Sequence, residues 1–103
     1  MATYDAQLGD VGTAIIVVIK DGSTILNVSD ATEKEITLES PAGIVTDYDA
    51  VLHTDGLDGK IKYVTATAND LNEVGSWRIQ GRVKFADGNW HTSIGKFKVG
   101  PNL

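Results

Sequence analysis

His53 and His91 are the only side chains in this 103-residue chain whose ordinary pKa lies near neutrality, and cysteine is absent. Metal binding or triad chemistry would need the two histidines to converge with other ligands, and no His-x-x-x-His spacing exists. His53 lies near a turn and His91 near the start of a strand-like run, so both read as ordinary solvated or edge histidines. Without cysteine there is no disulfide and no zinc–thiolate site. The acidic pairs Asp47/Asp49 and Asp55/Asp58 could attract calcium, which draws several oxygens from one loop. Asp47 and Asp49 share one face of a strand, however, and Asp55-Gly56-Leu57-Asp58 is too short for an EF-hand and reads as a turn. Trp77 and Trp90 are the residues that could stack on a sugar. Trp77 has the parity of Ile79 and Val83 and reads as core, which leaves Trp90, just after a turn, as the one that could be exposed. No Gly-x-Ser-x-Gly elbow or Gly-rich phosphate loop occurs. The expectation is a protein with no catalytic residue, no cofactor and no metal, and not an enzyme.

The elements around these residues are strands. Turn signals recur at short intervals: Asp21-Gly22-Ser23, Ser40-Pro41-Ala42-Gly43, Asp55-Gly56, Asp58-Gly59 and Asp87-Gly88-Asn89. Between them lie runs at 13–20, 25–28, 33–39, 44–52, 60–67, 76–85 and 90–99. In 76–85 Trp77, Ile79, Gly81, Val83 and Phe85 alternate with Ser76, Arg78, Gln80, Arg82 and Lys84, the period of two that a half-buried antiparallel strand requires. In 33–39 Ile36 and Leu38 alternate with Glu35, Thr37 and Glu39. In 44–52 Ile44, Tyr48, Ala50 and Leu52 oppose Val45, Asp47, Asp49 and Val51. Phe85 to Trp90 reads as a hairpin turning at Asp87-Gly88. No 3.6-residue period is sustained, and Asn69 to Val74 makes at most one helical turn. The expected class is all-β, an antiparallel β-sandwich, in a single domain over 13–103. Residues 1–12 lack a period and read as a flexible or partner-bound arm.

Composition narrows the function. The net charge of −5 opposes general nucleic-acid binding. No apolar run approaches the roughly 18 residues of a membrane span, and the N-terminus lacks the basic start of a signal peptide, so the chain reads as soluble and made without export. The charge is uneven: residues 1–59 carry eleven acids and two lysines, a net of −9, and residues 60–103 carry three acids and seven bases, a net of +4. The run Ala14 to Ile19 is apolar on both faces. One outward set, Ile15, Val17 and Ile19 or Ala14, Ile16 and Val18, is therefore expected to be covered, by a neighbouring subunit or a terminal arm.

The order of features resembles the immunoglobulin-like domain at the N-terminus of phage baseplate upper proteins and related tail proteins. The resemblance rests on Val28-Ser29-Asp30-Ala31, Ile36-Thr37-Leu38, Ser40-Pro41-Ala42-Gly43, Gly59-Lys60-Ile61-Lys62-Tyr63, Asp70-Leu71, Gly75-Ser76-Trp77 and Phe85-Ala86-Asp87-Gly88, spanning about Thr13 to Val99. It implies an immunoglobulin-like sandwich of about seven strands. It also implies a structural virion component of tail, baseplate or neck, made in the host cytoplasm, with other virion proteins and copies of itself as partners. A capsid decoration protein or a glycan- or host-surface-binding module is the alternative. In such a sandwich Arg78, Arg82, Lys84, Lys96 and Lys98 should form a basic face on one sheet. Glu35, Glu39, Asp47 and Asp49 should form an acidic face, at least in part on the other, suited to head-to-tail contact between copies. An aromatic near the start of a strand bonds back to the preceding corner in such folds, a part the Trp77 indole N–H could play.

Overall fold

Alternation over 76–85 produces the longest strand, and the rest of the chain is arranged around it. The computed structural model describes residues 6–92 and 94–101, and among these the fold is all-β with no helix. The strands are β1 (Ala6–Gln7), β2 (Ala14–Val18), β3 (Lys20–Asp21), β4 (Thr24–Ile25), β5 (Glu33–Glu39), β6 (Val45–Asp49), β7 (Val51–Leu52), β8 (Lys60–Val64), β9 (Gly75–Phe85), β10 (Gly88–His91) and β11 (Gly95–Gly100). The first sheet has the order β1-β11-β9-β5-β6, with β10 also on β9; the second is β2-β8-β7; β3 and β4 form a small ribbon. All pairings are antiparallel except β1 on β11.

The two sheets face each other across one core. Ile36, Leu38, Trp77, Val83 and Val99 enter it from the first sheet, and Ile15, Ile19 and Ile61 from the segments of the second. The inward and outward sets of β5 and β9 fall where alternation places them. The run 44–52 is divided between the sheets. Ala50 still donates its N–H to Lys34 O on β5 (2.9 Å), while Val51 and Leu52 already pair with Lys62 and Ile61 on β8. Ile44, expected inward, is instead exposed, because its carbonyl closes the turn that begins at Ser40. Among the described residues eleven strand segments replace the expected seven or so, since three runs break and the N-terminal segment adds one.

The expected arm over residues 1–12 needs correction from Ala6 onward; residues 1–5 lie outside the described residues. Ala6 is buried against the core and pairs in register with Val99. Leu8 N–H donates to Gly100 O (2.9 Å), Gly9 N–H to Leu71 O (2.8 Å) and Gly12 N–H to Thr65 O (2.7 Å). Gly9 and Gly12, at φ 77 and 89°, steer the chain along the body instead of freeing it. The 85–90 hairpin is present, displaced by one residue: Phe85 pairs with Gly88, so Ala86 and Asp87 make the turn.

At Gly81 the sheets pack closely. A Cβ there would lie 2.5 Å from Val17 Cγ2 and 3.3 Å from Thr92 Cγ2. Gly81→Ala should therefore cost about 1–3 kcal/mol by overpacking, and Val17→Ala in the same chain should return part of that loss. Denaturant midpoints of the two single variants and the double variant measure it; additive losses would mean that the sheets do not touch there.

Candidate assembly surfaces

The charged residues singled out by the sequence all lie on the first sheet, and they do not form two separated faces. β5 is the direct neighbour of β9, with Glu33 opposite Lys84, Glu35 opposite Arg82 and Glu39 opposite Arg78. Glu39 Oε1 meets Arg78 Nη1 at 2.8 Å, Glu35 meets the Arg82 guanidinium, and Glu33 Oε2 lies 3.4 Å from Lys84 Nζ. Asp47 and Asp49 sit one strand further out, opposite Thr37 and Glu35. Asp47 accepts the Thr37 hydroxyl at 2.6 Å. Lys96 and Lys98 lie on β11, opposite Arg78 and Ser76. The expected basic and acidic faces on different sheets are thus one surface, with acids toward β6 and bases toward β11. Period two gave the correct outward parity, but it cannot tell which strands become neighbours. The Glu35 carboxylate, opposed by burial, raises the Arg82 pKa further, so this guanidinium stays charged.

The apolar strand lies on the second sheet. Ile15, Val17 and Ile19 point inward, while Ala14, Ile16 and Val18 form the outward row, with Ile16 41% exposed. Val64, opposite Ala14 on β8, is also exposed, as is Val51 on β7, with Lys62 between Val51 and Ile16. Val18 is half-buried, and the described N-terminal segment 6–12 runs beside β11 and the 65–71 loop instead of over this row.

The residues considered for chemistry occupy structural positions. Trp77 is 4% exposed, and its indole N–H donates to Glu73 O (2.9 Å), the bond back to the corner that was expected. Trp90 is half-buried, edge-on to Phe85 with centroids 5.4 Å apart, and it covers Gly88. The two tryptophans thus pack against the body and form no exposed aromatic platform. Asp55 accepts Leu57 N–H and Asp58 accepts Lys60 N–H and the Thr54 hydroxyl, so both tie their own loop. The Lys60 N–H, then the Thr54 hydroxyl, holds Asp58 below the usual carboxylate range. His91 is exposed opposite Arg82, and His53 is half-buried at the end of β7. Among the described residues no three His, Asp or Glu side chains gather as a metal-holding group.

One polar cluster escaped the sequence reading. Asp70, 8% exposed, accepts the Tyr63 hydroxyl (2.6 Å), the Tyr48 hydroxyl (3.4 Å), Ala66 N–H (2.8 Å) and the Thr67 hydroxyl (3.2 Å). The two tyrosine rings stack with centroids 4.3 Å apart. Burial pushes Asp70 up, but the Tyr63 hydroxyl and the Ala66 and Thr67 donors outweigh it and hold the carboxyl below its ordinary value. Burial and the Asp70 carboxylate raise Tyr48, and push Tyr63 up to about 12. Asp70-Leu71 was noted only as a motif; the signal for its role was an acid three and four residues after Thr67 and Ala66, in a loop that follows Tyr63.

Compared with known proteins, the chain matches no protein-family model and no curated protein.

Asp70→Asn should cost about 1–3 kcal/mol, because one charge-assisted acceptor serves two half-buried tyrosine hydroxyls and donors of its own loop. The linked pH dependence has two limbs. Asp70, lowered in the fold, contributes stability that is present above its unfolded pKa near 3.8 and is lost as pH falls through the folded value. Tyr63, raised, contributes stability that is present below 10 and is lost as pH rises from about 10 to about 12. Chemical melts across pH should show the alkaline loss in the parent and a smaller one in Tyr63→Phe; equal losses would remove Tyr63 from the account.

Proposed function

We propose that this chain is a structural component of a phage virion, a tail, baseplate or neck accessory subunit that works by protein–protein assembly. The observation that carries the reading is the exposed apolar surface of Ala14, Ile16 and Val64 beside the open edge of the second sheet, since such patches mark interaction surfaces. The ordered motifs from Val28-Ser29-Asp30-Ala31 to Phe85-Ala86-Asp87-Gly88 supply the phage context, by resemblance. Two facing sheets, a strand run that crosses between them at Ala50, and the Trp77 corner bond favour an immunoglobulin-like arrangement. The described side chains offer contact surface and internal ties, which suits a subunit better than a carrier of chemistry. A glycan-binding role would call for an exposed aromatic groove, and Trp77 and Trp90 are both turned to the body of the domain.

The reading predicts that the purified chain self-associates in light scattering and that mass spectrometry finds it, in many copies, in phage particles from the culture that encodes it. A chain absent from washed particles would overturn the virion assignment.

A further inference from the structure

The two longest strands that end a sheet, β2 and β6, are each five residues long. Their free backbone groups follow from the flanking bonds. Thr65 N–H donates to Thr13 O and Ile19 N–H to Gly59 O, so Ile15 and Val17 bond toward β8. The N–H and C=O groups of Ala14, Ile16 and Val18 then point to the open edge. On the other side Ser40 N–H donates to Ile44 O and Ala50 N–H to Lys34 O, which leaves Val45, Asp47 and Asp49 with their groups directed outward.

The edges differ in chemistry. Open strands are ordinarily guarded by a charge, a proline or a bulge. β6 carries Asp47 and Asp49; β2 carries none of these devices. Its surroundings are cationic. Grooves of about 220 and 310 Å³ run beside its open edge, and the charged residues lining them are Lys20 and Lys96. Lys62 stands beside Ile16 on β8. None of these three lysines makes an ion pair among the described residues. A strand that joins β2 should therefore be short, extended and acidic, which describes β6.

We propose that the β2 edge receives the β6 edge of a second copy of this chain, head to tail, so that the first sheet of one copy continues the second sheet of the next. This rests on the assembly reading above and specifies its contact. With the two strands antiparallel, the central residues Ile16 and Asp47 meet on the outward face, and the acids of β6 come to the lysines around β2. The contact joins two different edges, so it propagates into a ring or a filament and not a closed pair. Charge sets register and orientation, and main-chain bonds with the apolar row supply affinity.

The cysteine-free chain allows a direct test. The full chain carrying Ile16→Cys and Asp47→Cys should oxidise to a ladder of dimers, trimers and higher species, and Ile16→Cys alone should not. Lys62→Glu and Asp49→Lys should each weaken self-association roughly tenfold in light scattering, and the two together should recover it. Circular dichroism melts matching the parent show that each variant is folded. Efficient dimers from Ile16→Cys alone would mean that β2 pairs with itself and overturn the proposal. So would reversal variants that associate like the parent, or a parent that stays monomeric at every concentration. A monomeric chain still found in washed particles would leave the virion reading standing, whereas absence from particles would remove that reading separately.

Discussion

One buried carboxylate ties the two sheets together. Asp70 belongs to the loop between β8 and β9, and its oxygens take hydroxyl protons from Tyr63 on the second sheet and Tyr48 on the first. The stacked rings place both hydroxyls within reach of the same acid. A domain of this size holds a stability of only about 5–15 kcal/mol, so a charge-assisted cluster of this kind is a sizeable part of the margin. It also fixes relative position. The chain crosses between sheets at Ala50, two residues after Tyr48, so the clamp holds the crossing point and with it the register of β7 on β8.

Close packing elsewhere depends on that alignment. Gly81 leaves room for Val17 only if β2 lies directly over the middle of β9. Ile19, Ile61, Ile36 and Val83 then share one core. The outside follows a different logic. On the first sheet, acids on β5 meet bases on β9 within the chain, so each pair lies exposed or half-exposed and contributes little to stability, about 0–1 kcal/mol. Those charges are mostly occupied with one another. The lysines around β2 and the acids of β6 make no ion pair among the described residues.

Much of this fold was legible in the residues. Trp77, Val83, Ile36 and Leu38 are buried and Arg78, Lys84 and Glu33 are exposed or half-exposed, because period two is a local property of an extended chain. The Phe85–Trp90 hairpin, the apolar character of 14–19 and the turn at Ser40 to Gly43 are equally local. So is the Trp77 corner bond, which spans four residues.

Partners in space were not legible, since pairing between strands distant in sequence leaves no periodic trace. The sequence alone determined which side of each strand faces the core, and the class that such strands build. Tertiary structure alone decided that β5 lies beside β9, which turned two expected faces of opposite charge into one self-neutralised surface. It decided too that Ala6 and Leu8 join the body, because a two-residue strand is too short to show a period and is held by the edge it finds. The role of Asp70 was likewise tertiary: an acid reads as solvated until two tyrosines from different sheets converge on it, and only packing brings them there.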